Sequence, residues 1–391
     1  MLRYLSADYI LPVSSAPIKN GLVVVDEAGT IIDLFDAEQS EAFTDQTEFF
    51  DGMIIPGFVN AHCHLELSHM KDQVAQGAGL LNFIRAVITK RAADEDQIMN
   101  AMERFDQSMF NNGIVAVGDI SNTVLSKQVK TGSKIYYHTF LELLGFDPFR
   151  AVSVFEKALD LKNEFAPLPC SIVPHAPYSV SEDLFQALKK YADKYDNLIT
   201  IHNQESEQEN EFFRNKEGGF IDFYKFLNQD ISYFKPQNRT SLQTVLPLFP
   251  DNQRIMLVHN TYTDESDISF AHASGKDIYW CLCPKANVYI EERLPDISLF
   301  QSSDLKITIG TDSLASNDKL CIFSEILTLK KHFPDLTFTG MLSWATLNGA
   351  AFLGIQDRFG SIEKGKTPGL NLIRNVREMD ISGESILQRL I

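Results

Sequence analysis

The chain has no cysteine framework. Its five cysteines (Cys63, Cys170, Cys281, Cys283 and Cys321) are odd in number and irregularly spaced. That excludes a small disulfide-stapled fold and predicts reduced thiols in a cytoplasmic protein. Cys281-x-Cys283 has no second pair to complete a structural zinc site. No apolar run approaches the ~20 residues of a membrane helix. The first residues lack the apolar core and small-residue cleavage site of a signal peptide, so neither export nor a membrane partner is expected. Positive charge is scarce: 35 Lys and Arg stand against 52 Asp and Glu, a net charge of −17. This argues against a nucleic-acid backbone or an anionic membrane surface as partner. There is no Gly-x-Gly-x-x-Gly loop, the main support for a doubly wound dinucleotide-binding sheet. Internal repeats and low-complexity tracts are also missing.

What is present is ordinary for a folded globular protein: 391 residues, 44% hydrophobic and 22% charged, enough for one large domain and a small one. Residues 21–26 and 30–35, with a turn at 27–29, read as a hairpin. Short apolar runs then recur at 58–61, 114–117, 134–140, 171–173, 198–201, 254–258, 277–281 and 306–309. Amphipathic stretches such as 82–93 and 181–195 lie between them. Eight strands alternating with helices predict an α/β protein, a (β/α)8 TIM-like barrel. The tail returns to a hairpin-like pattern near 359–366 and 370–373. The expected organisation is a small β-sandwich domain from both chain ends, 1–56 plus 357–391, and a barrel over 57–356.

The most informative run is Pro56-Gly57-Phe58-Val59-Asn60-Ala61-His62-Cys63-His64. Side chains at i and i+2 of a strand share a face, so His62 and His64 can share one metal ion. Functional residues of barrels collect at the C-terminal ends of the strands. Those ends supply His175 after the fourth strand, His202 with Glu205 after the fifth, His259 after the sixth and Asp312 after the eighth. Three imidazoles and one carboxylate suit Zn²⁺ or Fe²⁺ and leave room for a water. Each residue also has a plainer role open to it. The histidines serve equally as satisfied groups at the barrel mouth, Asp312 as a helix cap, His175 as part of a rigid turn, and Glu205 as one solvated charge in the acidic run 205–211.

These residues resemble the amidohydrolase superfamily, in its branch of aminohydrolases and chlorohydrolases. The likeness runs through 56–64, 174–178, 202–206, 257–259, 283–287 and 310–317. It implies one divalent metal on His62, His64, His202 and Asp312, with Glu205 as proton shuttle, His259 beside the reacting water and Asp312 as proton acceptor. His175 stands where two-metal members carry a carboxylated lysine, which implies a mononuclear site. Lys285 and Ala286 replace the family's usual Arg and Ser, and Gly365-Lys366-Thr367-Pro368-Gly369-Leu370 departs from its Gly-Lys-x-Ala-Asp-Leu pattern. Glu66, the stretch 141–145 and 312–317 look most like the aminodeoxyfutalosine and S-adenosylhomocysteine deaminases, the former from menaquinone biosynthesis. On that resemblance Glu66, Glu142, His175 and Asn317 contact a small heteroaromatic substrate.

The expectation is therefore a hydrolytic deaminase of an aminated purine or purine nucleoside. Two other readings stand beside it: a chlorohydrolase or cyclic-amide hydrolase of a related heterocycle, and a non-catalytic metal-binding protein. His202-x-x-Glu205 disfavours simple amide hydrolysis, which needs no acid for a ring nitrogen. The aromatic stretch Phe212, Phe213, Phe220, Phe223, Tyr224, Phe226, Tyr233 and Phe234 serves as core, as a cover over a flat substrate or as a homodimer contact.

Overall fold

The computed structural model describes residues 1–391, the side chain of Thr44 excepted. Five strands open the chain: β1 (Arg3–Ile10), β2 (Ile18–Lys19), β3 (Leu22–Val25), β4 (Ile31–Phe35) and β5 (Thr47–Pro56). The β-branched run of β3 is wholly buried and pairs antiparallel with β4 as the hairpin pattern predicts. Asp26 closes the turn, its Oδ1 accepting from the backbone N–H of Ala28 and Thr30, the usual work of Asp in tight turns.

Eight strands follow: β6 (Phe58–Cys63), β7 (Ile114–Ser121), β8 (Tyr136–Leu143), β9 (Cys170–Pro174), β10 (Ile199–Asn203), β11 (Arg254–His259), β12 (Asp277–Leu282) and β13 (Lys306–Ile309). Each coincides with one of the eight predicted runs. They form two four-stranded parallel sheets, β6-β7-β8-β9 and β10-β11-β12-β13. Their near-continuous apolar character is that of strands covered on both faces. On β11 the side chains alternate. Met256 and Val258 pack with Val59, Ala61, Phe140 and Val173, while Ile255 and Leu257 join the larger cluster with Leu184, Leu188 and Ile268.

The two sheets meet at both edges. At one, the His202 N–H donates to the His175 carbonyl at 3.0 Å; at the other, the N–H groups of Thr311 and Asp312 donate to the His62 carbonyl at 3.0 and 3.1 Å. A parallel bridge joins Cys63 and Asp312. Gly310 makes the second contact possible, because a Cβ there would lie 2.8 Å from the His62 carbonyl oxygen and Cβ.

Strands β14 (Leu370–Arg374) and β15 (Ile386–Arg389) return to the first sheet, ordered β15-β14-β5-β1-β3-β4 with β2 on β1. The hairpin partner of 370–374 is thus 386–389, not 359–366. The latter segment contains turns and no strand, its Glu363 carboxylate held by Ser361 and Lys366. No helix among the described residues is long and apolar enough to cross a membrane.

Behind the first parallel sheet lies a fully buried ion pair, Lys130 Nζ to Asp119 Oδ2 at 2.7 Å. Lys130 also donates to Ser121 and Thr139, and Asp119 Oδ1 accepts from the Leu65 N–H at 2.8 Å, one residue past His64. Removing one partner strands a buried charge, a loss of roughly 3–5 kcal/mol. Lys130→Met is expected to lose that much in denaturant unfolding at neutral pH. An unchanged midpoint would show that the pair contributes nothing.

Candidate metal centre and active site

The parallel strands deliver four donor groups to one point. His62 lies on β6 and His64 one residue past it. His202 lies on β10, and Asp312 follows β13 by three residues. The Nε2 atoms of His62 and His64 are 3.1 Å apart, and those of His64 and His202 are 3.3 Å apart. Asp312 Oδ1 lies 3.4 Å from His64 Nε2 and 3.7 Å from His62 Nε2. All four donors fall within 4.8 Å of one another. Metal bonds of about 2.0–2.1 Å in a tetrahedral site place ligand atoms about 3.4 Å apart, so the donor set fits a single divalent ion of the Zn²⁺ type.

The protonation states suit that use. Burial holds all three imidazoles below their ordinary range, His64 at about 3, so their lone pairs are free at neutral pH. The Nδ1–H of His202 donates to the His175 carbonyl at 2.7 Å, which turns Nε2 inward. Burial opposes ionisation of Asp312, but the His62 hydrogen bond and the neighbouring imidazoles outweigh it and hold the carboxyl well below the carboxylate range. Its Oδ2 accepts from the Ser316 hydroxyl at 2.5 Å.

Glu205 and His259 face each other across this point, Oε1 to Nε2 at 3.7 Å. The Nδ1–H of His259 donates to Asn287 Oδ1 at 3.1 Å, and the Asn287 amide returns to the His259 carbonyl and to Thr261. That orients the ring and leaves Nε2 toward Glu205. Burial, with Asp312 and Glu291 nearby, pushes the Glu205 carboxyl well above its ordinary value. The backbone is left-handed at Gln204 (φ 46°), His259 (φ 74°) and Asp312 (φ 56°). For residues other than glycine this conformation is uncommon and costs of order 1–3 kcal/mol. Here it turns each chain off its strand toward the shared centre.

The acidic run beyond His202 divides by burial. Glu205 and Glu209 are buried, whereas Glu207 is exposed and Glu211 half-buried. The solvated reading therefore describes Glu207 and not Glu205.

The remaining predicted residues separate into two groups. His175 lines the cavity above the four donors, its Nδ1 paired with Ser179 Oγ at 2.7 Å. Glu66, Glu142 and Asn317 are not among the lining side chains. Glu66 accepts from the N–H groups of Asn122 and Thr123 and the hydroxyls of Thr123 and Ser126. Glu142 takes the Asn122 amide at 3.1 Å. Its other oxygen has no hydrogen-bond partner and lies 3.7 Å from His202 Nδ1, and burial raises the carboxyl to about 8. Asn317 Nδ2 is committed to the Thr311 carbonyl and Glu325. These three stand behind the wall, held by hydrogen bonds to the protein itself.

The cavity has a volume of about 90 Å³. Its polar side is His64, His175, His202, Glu205, His259 and Asp312. Its apolar side is Leu67 together with Leu80, Phe83, Ile84 and Val87 of the helix Leu80–Lys90. That helix is tied at its start by the Leu80 N–H donating to Glu291 Oε1 at 2.7 Å. None of the eight aromatic residues of 212–234 lines the cavity. Phe212, Phe213, Phe220, Phe223 and Tyr224 are buried core. They back the cavity through Tyr178, whose ring packs on Phe220 and whose carbonyl accepts from the Tyr224 hydroxyl. Sequence reasoning missed Asn287 and Glu209. Asn287 lay inside a recognised stretch without a role. Glu209 was signalled by Ser206-x-x-Glu209, the pattern that starts a helix.

Two four-stranded parallel sheets with a convergent three-imidazole, one-carboxylate set at their C-terminal ends define an α/β protein with a candidate single-metal centre. The chain belongs to the amidohydrolase family, described as "Amidohydrolase family", which matches residues 53–383. It is similar to an adenosine deaminase of Helicobacter pylori, 26% identical over 88% of this chain and 85% of that protein. It is also similar to an aminodeoxyfutalosine deaminase of Nitratiruptor, 27% identical over 83% of this chain and 79% of that one. Among solved structures, the Helicobacter pylori aminofutalosine deaminase in complex with methylthio-coformycin superposes with a TM-score of 0.82. It is 22% identical and the match covers 96% of this chain and 93% of that one.

Proposed function

We propose that the protein is a divalent-metal-dependent hydrolytic deaminase that releases ammonia from an aminated purine or purine nucleoside, aminodeoxyfutalosine being the first candidate. The observation that carries the reading is Glu205: a buried carboxyl, its pKa raised by burial, 3.7 Å from His259 and beside four convergent donors. The names of the relatives agree with it. His62, His64, His202 and Asp312 would hold the ion, Zn²⁺ or Fe²⁺, which when bound brings the pKa of water toward neutrality.

The protein's own groups then divide the proton traffic. Glu205 donates to a ring nitrogen, so that the carbon bearing the amine becomes electrophilic. Asp312 accepts a proton from the attacking water, and His259 orients that water through Nε2. Asp312 passes that proton to the amine, the carbon–nitrogen bond breaks and ammonia leaves, and the remaining hydroxyl proton returns to Glu205 as the carbonyl forms. His175 steadies the heterocycle, while Glu66, Glu142 and Asn317 brace the residues that touch it. A cavity of about 90 Å³ lies below the ~300 Å³ at which ligand sites begin.

The same reading extends to architecture and setting. The two parallel sheets close as one (β/α)8 barrel over 57–356, and 1–56 with 357–391 make a small β-sandwich domain. The unpaired cysteines agree with a cytoplasmic location, and the chain works as a homodimer. Ammonia release by metal-loaded protein on aminodeoxyfutalosine, S-adenosylhomocysteine, adenosine, guanine and cytosine tests the function. Release from one of the purine compounds is expected. Silence on all five with metal bound would move the weight to halide or cyclic-amide hydrolysis.

A further inference from the structure

We infer that Glu209 is a positioning residue for Glu205, an inference that rests on the proton-donor role proposed above. Glu209 is fully buried. Its Oε1 accepts from the Gln204 N–H at 3.0 Å and its Oε2 from the Glu205 N–H at 3.3 Å. These are the two peptide groups of the left-handed turn that carries Glu205 off β10. Buried N–H groups need acceptors, and the two oxygens of one buried carboxyl here serve both at once.

An ordinary capping box would use this glutamate differently. Ser206 caps the helix Glu207–Asn215, its hydroxyl accepting from the Glu209 N–H. In the usual pattern the Glu side chain at the third helical position folds back on the N–H of the capping residue. Glu209 reaches one and two residues further upstream, onto Glu205 and Gln204. The rest of the turn is already anchored, the Gln204 side chain donating to Asp267 at 2.7 Å and to Asn210 at 3.1 Å. Glu209 therefore fixes the one part of the turn that aims the acid. A misplacement of about 1 Å in a reacting group costs up to about a hundredfold in rate.

A purely structural cap and a positioning residue separate in a double-mutant cycle. Glu209→Gln, Glu205→Gln and the double variant are compared in metal content, melting temperature and kcat on the panel substrate that the unsubstituted protein turns over. Glu209→Gln is expected to keep its metal and lose about ten- to a hundredfold in kcat with KM little changed. In the Glu205→Gln background the same substitution costs less than about twofold. An equal loss in both backgrounds, or an unchanged kcat in Glu209→Gln, overturns the inference. Full turnover in Glu205→Gln alone strikes instead at the parent reading. A crystal structure of metal-loaded Glu209→Gln gives a readout independent of activity: the Glu205 carboxyl leaves His259 by about 1 Å or more, and an unmoved carboxyl overturns the inference. Should Glu209→Gln fail to fold, Glu209→Asp, one methylene short of both N–H groups, is read the same way.

Discussion

The Asp312→Asn substitution is expected to strip the protein of its metal and, with it, of turnover. The substitution is chosen for what it leaves alone. Asparagine tolerates the left-handed φ of 56° that this position adopts, keeps the volume of aspartate, and still offers an oxygen to the Ser316 hydroxyl. What disappears is the charge. Asp312 is the only carboxylate in a donor set otherwise made of three imidazoles held neutral by burial. An amide in that place leaves a dication with no anionic ligand in a buried site. Metal analysis after dialysis should show a substoichiometric ion, and kcat should fall by about 10⁴, roughly 5.5 kcal/mol of transition-state stabilisation. A full complement of metal together with normal turnover would remove Asp312 from the ligand set.

Glu205→Gln separates the chemistry from the metal. The glutamine keeps the shape of the side chain and all four donors, so metal content stays at that of the parent protein. The loss is a single proton, and kcat falls by about 10²–10⁴, the scale of general acid–base catalysis. The pH profile carries a second signature. Burial holds the Glu205 carboxyl well above its ordinary value, so the active, protonated form reaches higher pH than in a free glutamate and disappears as pH rises through the elevated value. The alkaline fall in kcat/KM belongs to this group, and Glu205→Gln should abolish it. Stability moves in the same direction. Between the ordinary carboxylate value and the elevated one the folded state binds a proton that the unfolded state has lost, so stability declines with rising pH. Glutamine has no proton to lose, and the variant should outlast the parent protein on thermal unfolding above neutral pH. Full activity in the variant would sink the assignment of Glu205 as the acid.

Both predictions concern residues legible in the sequence, and the reason is local. His62 and His64 sit two residues apart at the end of an apolar run, and His202 and Glu205 three apart at the end of another. Strand periodicity alone brings such pairs to one rim. The eight runs were legible for the same cause, since strands buried on both faces announce themselves as short apolar stretches. The tail was read less well. The stretch 359–366 has turn residues and alternation enough for a hairpin, yet β14 already pairs with β5 on one side and takes 386–389 on the other.

Composition, strand period and the spacing of histidines and acids determined by themselves that this is a large α/β protein whose histidines and acids gather at the C-terminal ends of parallel strands. They also determined which four residues are candidates for an ion. Tertiary structure alone decided which polar groups remain free to act. Glu66 and Asn317 look like substrate contacts in one dimension, but in the fold Glu66 accepts from Asn122, 56 residues away, and Asn317 donates to Glu325, eight residues away. Ser206-x-x-Glu209 marks Glu209 as a helix-start residue, but only the fold buries it and leaves Glu207 exposed. Only the fold sets Leu80 against Glu291, 211 residues away, and so covers the site with a helix. The physical reason is common to all of these. A side chain's chemical type is local, whereas its burial and its hydrogen-bond partners come from chain segments that meet only when the protein has folded.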